Sequence, residues 1–224
     1  MPESPADTRL TQPAFAERLR GLGVIPVVEV DDPAAAVLLA EALLEGGVGC
    51  AEITFRTRAA AEAISAIRRA VPGILVGAGT VLTAGQLDVA RDAGASFVVS
   101  PGFGAAVVRR AAEVGLPVLP GACTPTEIMA ALEAGIGVVK LFPAEAAGGI
   151  PYLRALAGPF GGVGFVPTGG IDAANLAAYL ATPGVVACGG SWLVRREWIA
   201  AGDFDAVAAA AREAAAIVAE ARRA

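Results

Sequence analysis

The apolar residues of this chain fall into short unbroken runs. Each run is followed by a longer stretch in which Ala and Leu recur at helical spacing until Gly or Pro ends it. After a helical lead-in over 13–22, the chain reads Val24-Ile25-Pro26-Val27-Val28-Glu29-Val30 and then Asp31-Asp32-Pro33, a strand followed by a helix start. Asp32 can cap that helix. Pro33 suits its first position, because the N–H that proline lacks is one the first turn leaves unpaired. Val37, Leu38, Ala42 and Leu43 give the helix one apolar face before Gly46-Gly47 ends it. The unit then recurs, with strands predicted over 50–54, 74–78, 97–100, 117–120, 138–142, 164–167 and 185–188. Thr83-Ala84-Gly85-Gln86 and Thr124-Pro125-Thr126-Glu127 have the form of capping boxes at helix starts. The strands show no polar alternation, as expected of parallel strands covered by helices. An open doubly wound sheet fits this alternation too. Eight units of similar length in one domain favour a closed (β/α)8 barrel, a TIM barrel, with a short N-terminal helix.

At 224 residues, one domain over 1–224 is expected, with 1–12 as a flexible N-terminus. A composition 55% hydrophobic and only 5% aromatic suits helices closely packed on a buried sheet rather than disorder. Seventeen basic against twenty-two acidic residues leave a net charge of −5, which argues against a nucleic-acid partner. Small anions stay open as ligands, since a local Arg or a helix N-terminus can hold them. Met1-Pro2-Glu3-Ser4-Pro5-Ala6-Asp7 carries acids and prolines where a secretory signal would be basic and then apolar. Gly, Pro or charge interrupts each apolar run before it reaches membrane-spanning length. A cytoplasmic location without a membrane partner is expected. Cys50, Cys123 and Cys188 lie far apart without metal-ligand spacing, and read as small buried thiols.

The candidate chemistry starts at Gly137-Val138-Val139-Lys140-Leu141-Phe142-Pro143-Ala144-Glu145, an apolar strand pattern with one amine in its middle. Lys140 is the only lysine in the chain, and the other sixteen basic residues are all Arg. Arg stays protonated. A Lys ammonium desolvated among apolar groups loses its proton readily and can attack a carbonyl to form a Schiff base. The chain has no histidine, so proton transfer would fall to carboxylates, water or this lysine. The plainer reading is a lysine snorkelling to water from a strand end.

Barrel enzymes carry their catalytic groups at the C-terminal ends of the strands. Strand 2 ends in Glu52-Ile53-Thr54-Phe55-Arg56. If it stays extended, Glu52, Thr54 and Arg56 share a face and point into the same mouth as Lys140; the alternative is an ordinary ion pair. Strand 3 runs into Gly77-Ala78-Gly79-Thr80, whose glycines permit close backbone approach to a ligand or only make the turn. Ser100-Pro101-Gly102 after strand 4 reads as a rigid turn. Strands 7 and 8 end in Pro167-Thr168-Gly169-Gly170 and Cys188-Gly189-Gly190-Ser191-Trp192. Their loops are the two in which barrels often hold phosphate, and paired glycines in both point to an anion site.

These motifs, in this order over 24–193, resemble the 2-keto-3-deoxy-6-phosphogluconate (KDPG) and 4-hydroxy-2-oxoglutarate (KHG) aldolase family. The segments that carry the resemblance are Glu52 to Thr57, Gly77 to Val81, Ser100 to Gly102, Pro120-Gly121 with Thr124, Lys140 to Glu145, Pro167 to Gly170 and Gly189 to Trp192. The resemblance implies a (β/α)8 barrel, a homotrimer, and Schiff-base aldol cleavage without metal or other cofactor. Lys140 falls on the family's imine-forming lysine and Glu52 on its acid/base glutamate. Arg56 and Thr80 match positions at the pyruvyl carboxylate end, with Pro101 and Phe142 lining the same pocket. Gly169, Gly170, Gly190 and Ser191 match the phosphate end, with Thr168 as a further substrate-binding residue beside them. Glu29 departs from the pattern and either pairs with Arg56 or takes part in proton transfer. The implied reaction is cleavage of KDPG to pyruvate and glyceraldehyde 3-phosphate, a step of the Entner-Doudoroff pathway, with KHG cleavage to pyruvate and glyoxylate as a second activity. Two other classes stay open on a phosphate-binding barrel. One is a phosphosugar isomerase or epimerase, with Glu52 as base and Lys140 as electrostatic partner; the other is a catalytically silent sugar-acid-binding protein.

Overall fold

The computed structural model describes residues 10–223. Of the stretch expected to be flexible, residues 1–9 lie outside the described residues, and residues 11 and 12 are tied down. Thr11 caps the first helix, α1 (Gln12–Leu22), its hydroxyl accepting from the Ala14 N–H at 3.3 Å. The Gln12 amide makes two bonds of 2.9 Å with the backbone of Val118.

Eight parallel strands follow: β1 (Val24–Val28), β2 (Cys50–Thr54), β3 (Leu75–Gly79), β4 (Val98–Val99), β5 (Val118–Leu119), β6 (Val138–Leu141), β7 (Gly164–Pro167) and β8 (Cys188–Gly190). Six form one ladder in the order β5-β4-β3-β2-β1-β8, and β6 pairs with β7. Narrow seams join the two ladders. At β5–β6, Gly121 bridges Lys140, with Lys140 N–H donating to Pro120 O at 2.9 Å and Ala122 N–H to Lys140 O at 2.8 Å. At β7–β8 the bridges are Phe165 to Val185 and Thr168 to Gly189. With both seams made and β8 paired to β1, the ring is a closed (β/α)8 barrel.

Strand 8 corrects the predicted 185–188. Its regular part lies later, at 188–190, and Val185 contributes only a bridge. Two glycines extend this strand because each gives up its Cβ position to a neighbour, Gly189 to the Thr168 side chain and Gly190 to the Trp192 ring.

The helices are α2 (Pro33–Glu45), α3 (Ala60–Ala70), α4 (Ala84–Asp92), α5 (Ala105–Val114), α6 (Pro125–Glu133), α7 (Gly149–Ala157), α8 (Leu176–Leu180), a short extra α9 (Arg196–Ala201) and α10 (Phe204–Ala221). Asp32 caps α2 as expected, accepting from Ala34 N–H at 2.9 Å with Pro33 in the first turn. The box at Thr124 is complete. The one at Thr83 is half made: Thr83 accepts from Gln86 N–H at 3.1 Å, but the Gln86 side chain takes the Leu82 N–H instead. Among the described residues, no helix is long and apolar enough to cross a membrane.

Alternation sorts the strands' side chains between two cores. Ala51, Ile53, Val139 and Leu141 pack outward with the helices, while Cys50 and Val138 face the barrel axis. The N-terminal end of the barrel is closed by Phe15 and Leu19 of α1, the Phe15 ring stacking on Phe97 with centroids 4.9 Å apart. The open end, where the strands finish, is left for chemistry.

Candidate active site

Inward alternation along β2 and β6 brings Glu52 and Lys140 together. Lys140 Nζ lies 3.4 Å from Glu52 Oε1, and the residues are 6% and 2% exposed. This amine does not snorkel to water. Burying two ions costs several kcal/mol each, and their mutual attraction rarely more than repays it, so the pair is a poor stabilising device. Its position in a barrel mouth marks it as the candidate reaction centre.

Neighbouring segments shape the space around the pair. Glu52 fits because Gly79 has no Cβ; one there would overlap the carboxylate, with Glu52 Cγ only 2.5 Å away. Thr80, the next residue, has φ 55° and is the only non-glycine with positive φ among the described residues. Such strain concentrates where a site over-determines the backbone. Gly121, bridged to Lys140, lets the Pro101-Gly102 turn lie so close that a Cβ would overlap the Pro101 carbonyl. Thus the glycines of strand 3 and the turn after strand 4 do more than reverse the chain. The Phe142 ring centroid stands 5.5 Å from Lys140 Nζ, within range of a cation–π contact.

Beside the pair opens a cavity of about 480 Å³. Thr54, Arg56 and Phe142 line it, and of these Phe142 stands against the lysine. Thr168, Gly169, Gly170, Gly190 and Ser191 line it as well, Gly169 lying against the Phe142 ring. Glu52, Lys140, Thr80 and Pro101 are not in this lining; the pair lies behind Thr54 and Phe142, and Thr80 and Pro101 border it through Gly79 and Gly121. The shared face expected of Glu52, Thr54 and Arg56 is corrected in part. The strand ends at Thr54, whose hydroxyl donates to Val28 O at 2.9 Å, and Arg56 stands on the following turn with its side chain 49% exposed. The glycine loops do meet. Gly169 and Gly170 take φ of 96° and 82°, and Gly170 leaves room for the Glu145 side chain, whose carboxylate accepts from the buried Tyr179 hydroxyl. Burial and that bond push the Tyr179 phenol well up. Trp192 Nε1 is buried without a partner among the described residues.

Glu29 does pair with Arg56, at 3.7 Å, but its closer partner is a residue the sequence reading did not single out. Arg196 at the start of α9 donates to Glu29 Oε1 at 2.6 Å and to Asp31 Oδ2 at 3.0 Å. Two consecutive arginines just beyond the strand 8 glycines were the available signal.

A second cavity of about 480 Å³ opens among Arg18, Arg68, Leu75, Ser96 and Pro117, towards the N-terminal ends of β3 and β5. Size therefore does not choose between the two; the buried amine–carboxylate pair does. Burial pushes the thiols of Cys50 and Cys188 far up, which leaves neither as a nucleophile. Among the described residues, no group of three His, Cys, Asp or Glu side chains could hold a metal ion.

Comparison with known proteins identifies the family. The family profile described as "Aldolase: KDPG and KHG aldolase" matches residues 15–210. A 2-dehydro-3-deoxy-phosphogluconate aldolase of Treponema pallidum (strain Nichols) is 54% identical over 202 residues, 90% of this chain and 96% of that protein. A solved KDPG aldolase from Legionella pneumophila, with pyruvate captured at low pH as a covalent carbinolamine intermediate, has a TM-score of 0.86 at 39% identity. It covers 90% of this chain and 97% of the other. The 2-keto-3-deoxy-6-phosphogluconate aldolase of Zymomonas mobilis ZM4, with 3-phosphoglycerate, gives 0.84 at 41% identity over 90% and 95%. A profile match over most of the chain, together with relatives this similar along nearly their whole length, shows that the chain belongs to the KDPG and KHG aldolase family.

Proposed function

We propose that this chain is a class I aldolase that cleaves KDPG to pyruvate and glyceraldehyde 3-phosphate through an imine on Lys140, with KHG as a second substrate. The observation that carries the reading is the single lysine, buried in the barrel mouth 3.4 Å from a buried carboxylate. Within that pair, Glu52 accepts a proton from the ammonium and frees the amine. The amine adds to the C2 ketone, and Glu52 returns the proton to the carbinolamine hydroxyl, which leaves as water; this gives a protonated imine, whose positive charge forms near the face of Phe142, and restores the Glu52 carboxylate. Glu52 next removes the C4 hydroxyl proton, directly or through water, as the C3–C4 bond breaks. The bond's electrons pass into the imine, leaving an enamine and the free aldehyde. Protonation of the enamine at C3, for which Glu52 now holds the proton, and hydrolysis of the imine release pyruvate and restore the amine.

Arg56 and Thr80 are assigned to the pyruvyl carboxylate and Pro101 and Phe142 to the walls beside it. Gly169, Gly170, Gly190 and Ser191 are assigned to the phosphate, with Thr168 beside them as a further substrate-binding residue. The Legionella relative, caught with pyruvate as a carbinolamine, supports the covalent step, and the Zymomonas relative, seen with 3-phosphoglycerate, supports a phosphorylated ligand. The family resemblance further supports a cytoplasmic homotrimer acting on a small keto-acid phosphate without a cofactor.

Pyruvate with borohydride should inactivate the protein irreversibly and leave the reduced adduct on the Lys140 peptide. The N-terminus is the only competing amine, so a peptide mass map gives an unambiguous answer. Lys140→Arg should be inactive although it keeps the charge. Full inactivation with an unmodified Lys140 peptide would rule out the imine and leave the isomerase or the silent binding barrel.

A further inference from the structure

We propose that Arg196, positioned by Glu29 and Asp31, is the residue that selects substrates by the charge at their distal end. The inference rests on the aldolase reading and adds to it a cation that the phosphate cradle otherwise lacks. Gly169, Gly170, Gly190 and Ser191 offer only neutral donors to a group that carries up to two negative charges. Three cations line the cavity: Arg56, Arg195 and Arg196. Arg56 is assigned to the carboxylate beside Lys140. Arg195 lacks the anchor that Arg196 has: its Nε donates to Trp192 O at 3.3 Å and its guanidinium lies over the Trp198 ring, 5.0 Å from the centroid, and no carboxylate among the described residues fixes its fork.

Arg196 is held, yet it has capacity to spare. Nη1 meets Glu29 at 2.6 Å and Nη2 meets Asp31 at 3.0 Å. Those contacts use two of a guanidinium's five N–H donors and fix its fork at the rim of the cavity that Ser191 and the glycine loops line. Glu29 is the hinge of this arrangement. One of its oxygens anchors Arg196, and the other faces Arg56 at 3.7 Å, too far for a hydrogen bond, so Arg56 stays free for the substrate carboxylate. Glu29 is thereby a positioning residue rather than an acid or base, because both its oxygens face guanidinium groups and neither is placed against Lys140.

The test compares Arg196→Ala, Arg196→Lys and Asp31→Asn with the unaltered protein. Arg196→Ala should lower kcat/KM for KDPG by about 10- to 100-fold, the worth of a hydrogen bond to a charged group, mainly through KM. On KHG, whose distal group is a singly charged carboxylate attached directly to C4 and so short of the reach of a phosphate on C6, its loss should stay within about 3-fold. Arg196→Lys keeps the charge without the fork and should fall between. Asp31→Asn, which loosens the anchor from outside the cavity, should lose part of the KDPG preference and none of the KHG activity. Calorimetry with inorganic phosphate adds a readout independent of turnover: Arg196→Ala should weaken binding by about 10-fold. Equal losses on both substrates, or unchanged phosphate binding, would overturn the proposal and make Arg196 a structural strut. Borohydride trapping of pyruvate by Arg196→Ala keeps the two readings apart. Trapping at the unaltered rate with no change in selectivity removes Arg196 alone, whereas no trapping even in the unaltered protein removes the aldolase reading.

Discussion

Gly77 and Gly79 sit two residues apart on the inward face of β3, and each cedes the place of a Cβ to a different neighbour. At Gly77 the neighbour is the Phe97 ring, which stacks on Phe15 in the closed end of the barrel. At Gly79 it is the Glu52 carboxylate, which faces Lys140. Neither glycine has a positive φ, so alanine suits the backbone at both positions and only the side-chain collision differs. Gly77→Ala should cost about 1–3 kcal/mol through overpacking while kcat stays near normal. Gly79→Ala should push Glu52 away from the amine and lower kcat on KDPG by about 10²-fold or more, the usual worth of a general acid/base. Melting curves and steady-state kinetics on both variants check the contrast. A Gly79→Ala enzyme that melted early but turned over normally would remove Glu52 from the mechanism.

Among the elements, the start of α6 ties structure to pH. Glu127 Oε2 accepts from Cys123 N–H and Thr124 N–H, each at 2.8 Å, while Thr124 Oγ1 accepts from Glu127 N–H at 3.4 Å. Burial pushes the Glu127 carboxyl upward, but these hydrogen bonds outweigh it and hold the group below its usual range. A carboxyl lowered in the folded state contributes stability above its unfolded pKa, lost as pH falls through its folded one. Thr124→Ala should therefore cost about 1 kcal/mol near neutrality, roughly 2–4 °C in Tm, and the gap should narrow below about pH 4. A gap that stays constant to pH 3 would show that Glu127 does not work through the box. This box was legible in the sequence because its donors and acceptors are at most four residues apart. So were the bounds of β2 and β7, set by apolar runs between turn residues. Strand 8 was misplaced because glycine disfavours strands, and only tertiary packing of Thr168 and Trp192 explains Gly189 and Gly190 there. Lys140 stood out as a lone amine in an apolar strand. Arg196 did not, since its contact with Glu29 spans 167 residues and no local pattern announces it.

In the molecule as a whole, stability and chemistry occupy opposite ends of the barrel. The C-terminal ends of the strands carry a buried ion pair, a strained Thr80 and glycine loops, all features that cost stability. Lys140 itself lies on the narrow β5–β6 seam, where a single bridge continues the ladder. The N-terminal end offsets this with a dry plug. Phe15 and Leu19 are 1% and 0% exposed and pack with Ile25, Cys50 and Val138 from three strands and with Phe97 just before β4. Phe15→Ala would empty the centre of that plug and remove the ring stacked on Phe97. A cavity of this kind costs about 3–5 kcal/mol, and at about 2–4 °C per kcal/mol the midpoint should fall by roughly 6–20 °C. The reacting groups at the other end share no contact with this ring, so distant effects should add rather than couple. Below its lowered melting range the variant should keep kcat on KDPG within about two-fold and trap pyruvate at the unaltered rate. Loss of kcat in step with stability, in protein still fully folded by circular dichroism, would show that the plug also sets the Lys140–Glu52 geometry and that the two ends of the barrel are mechanically one.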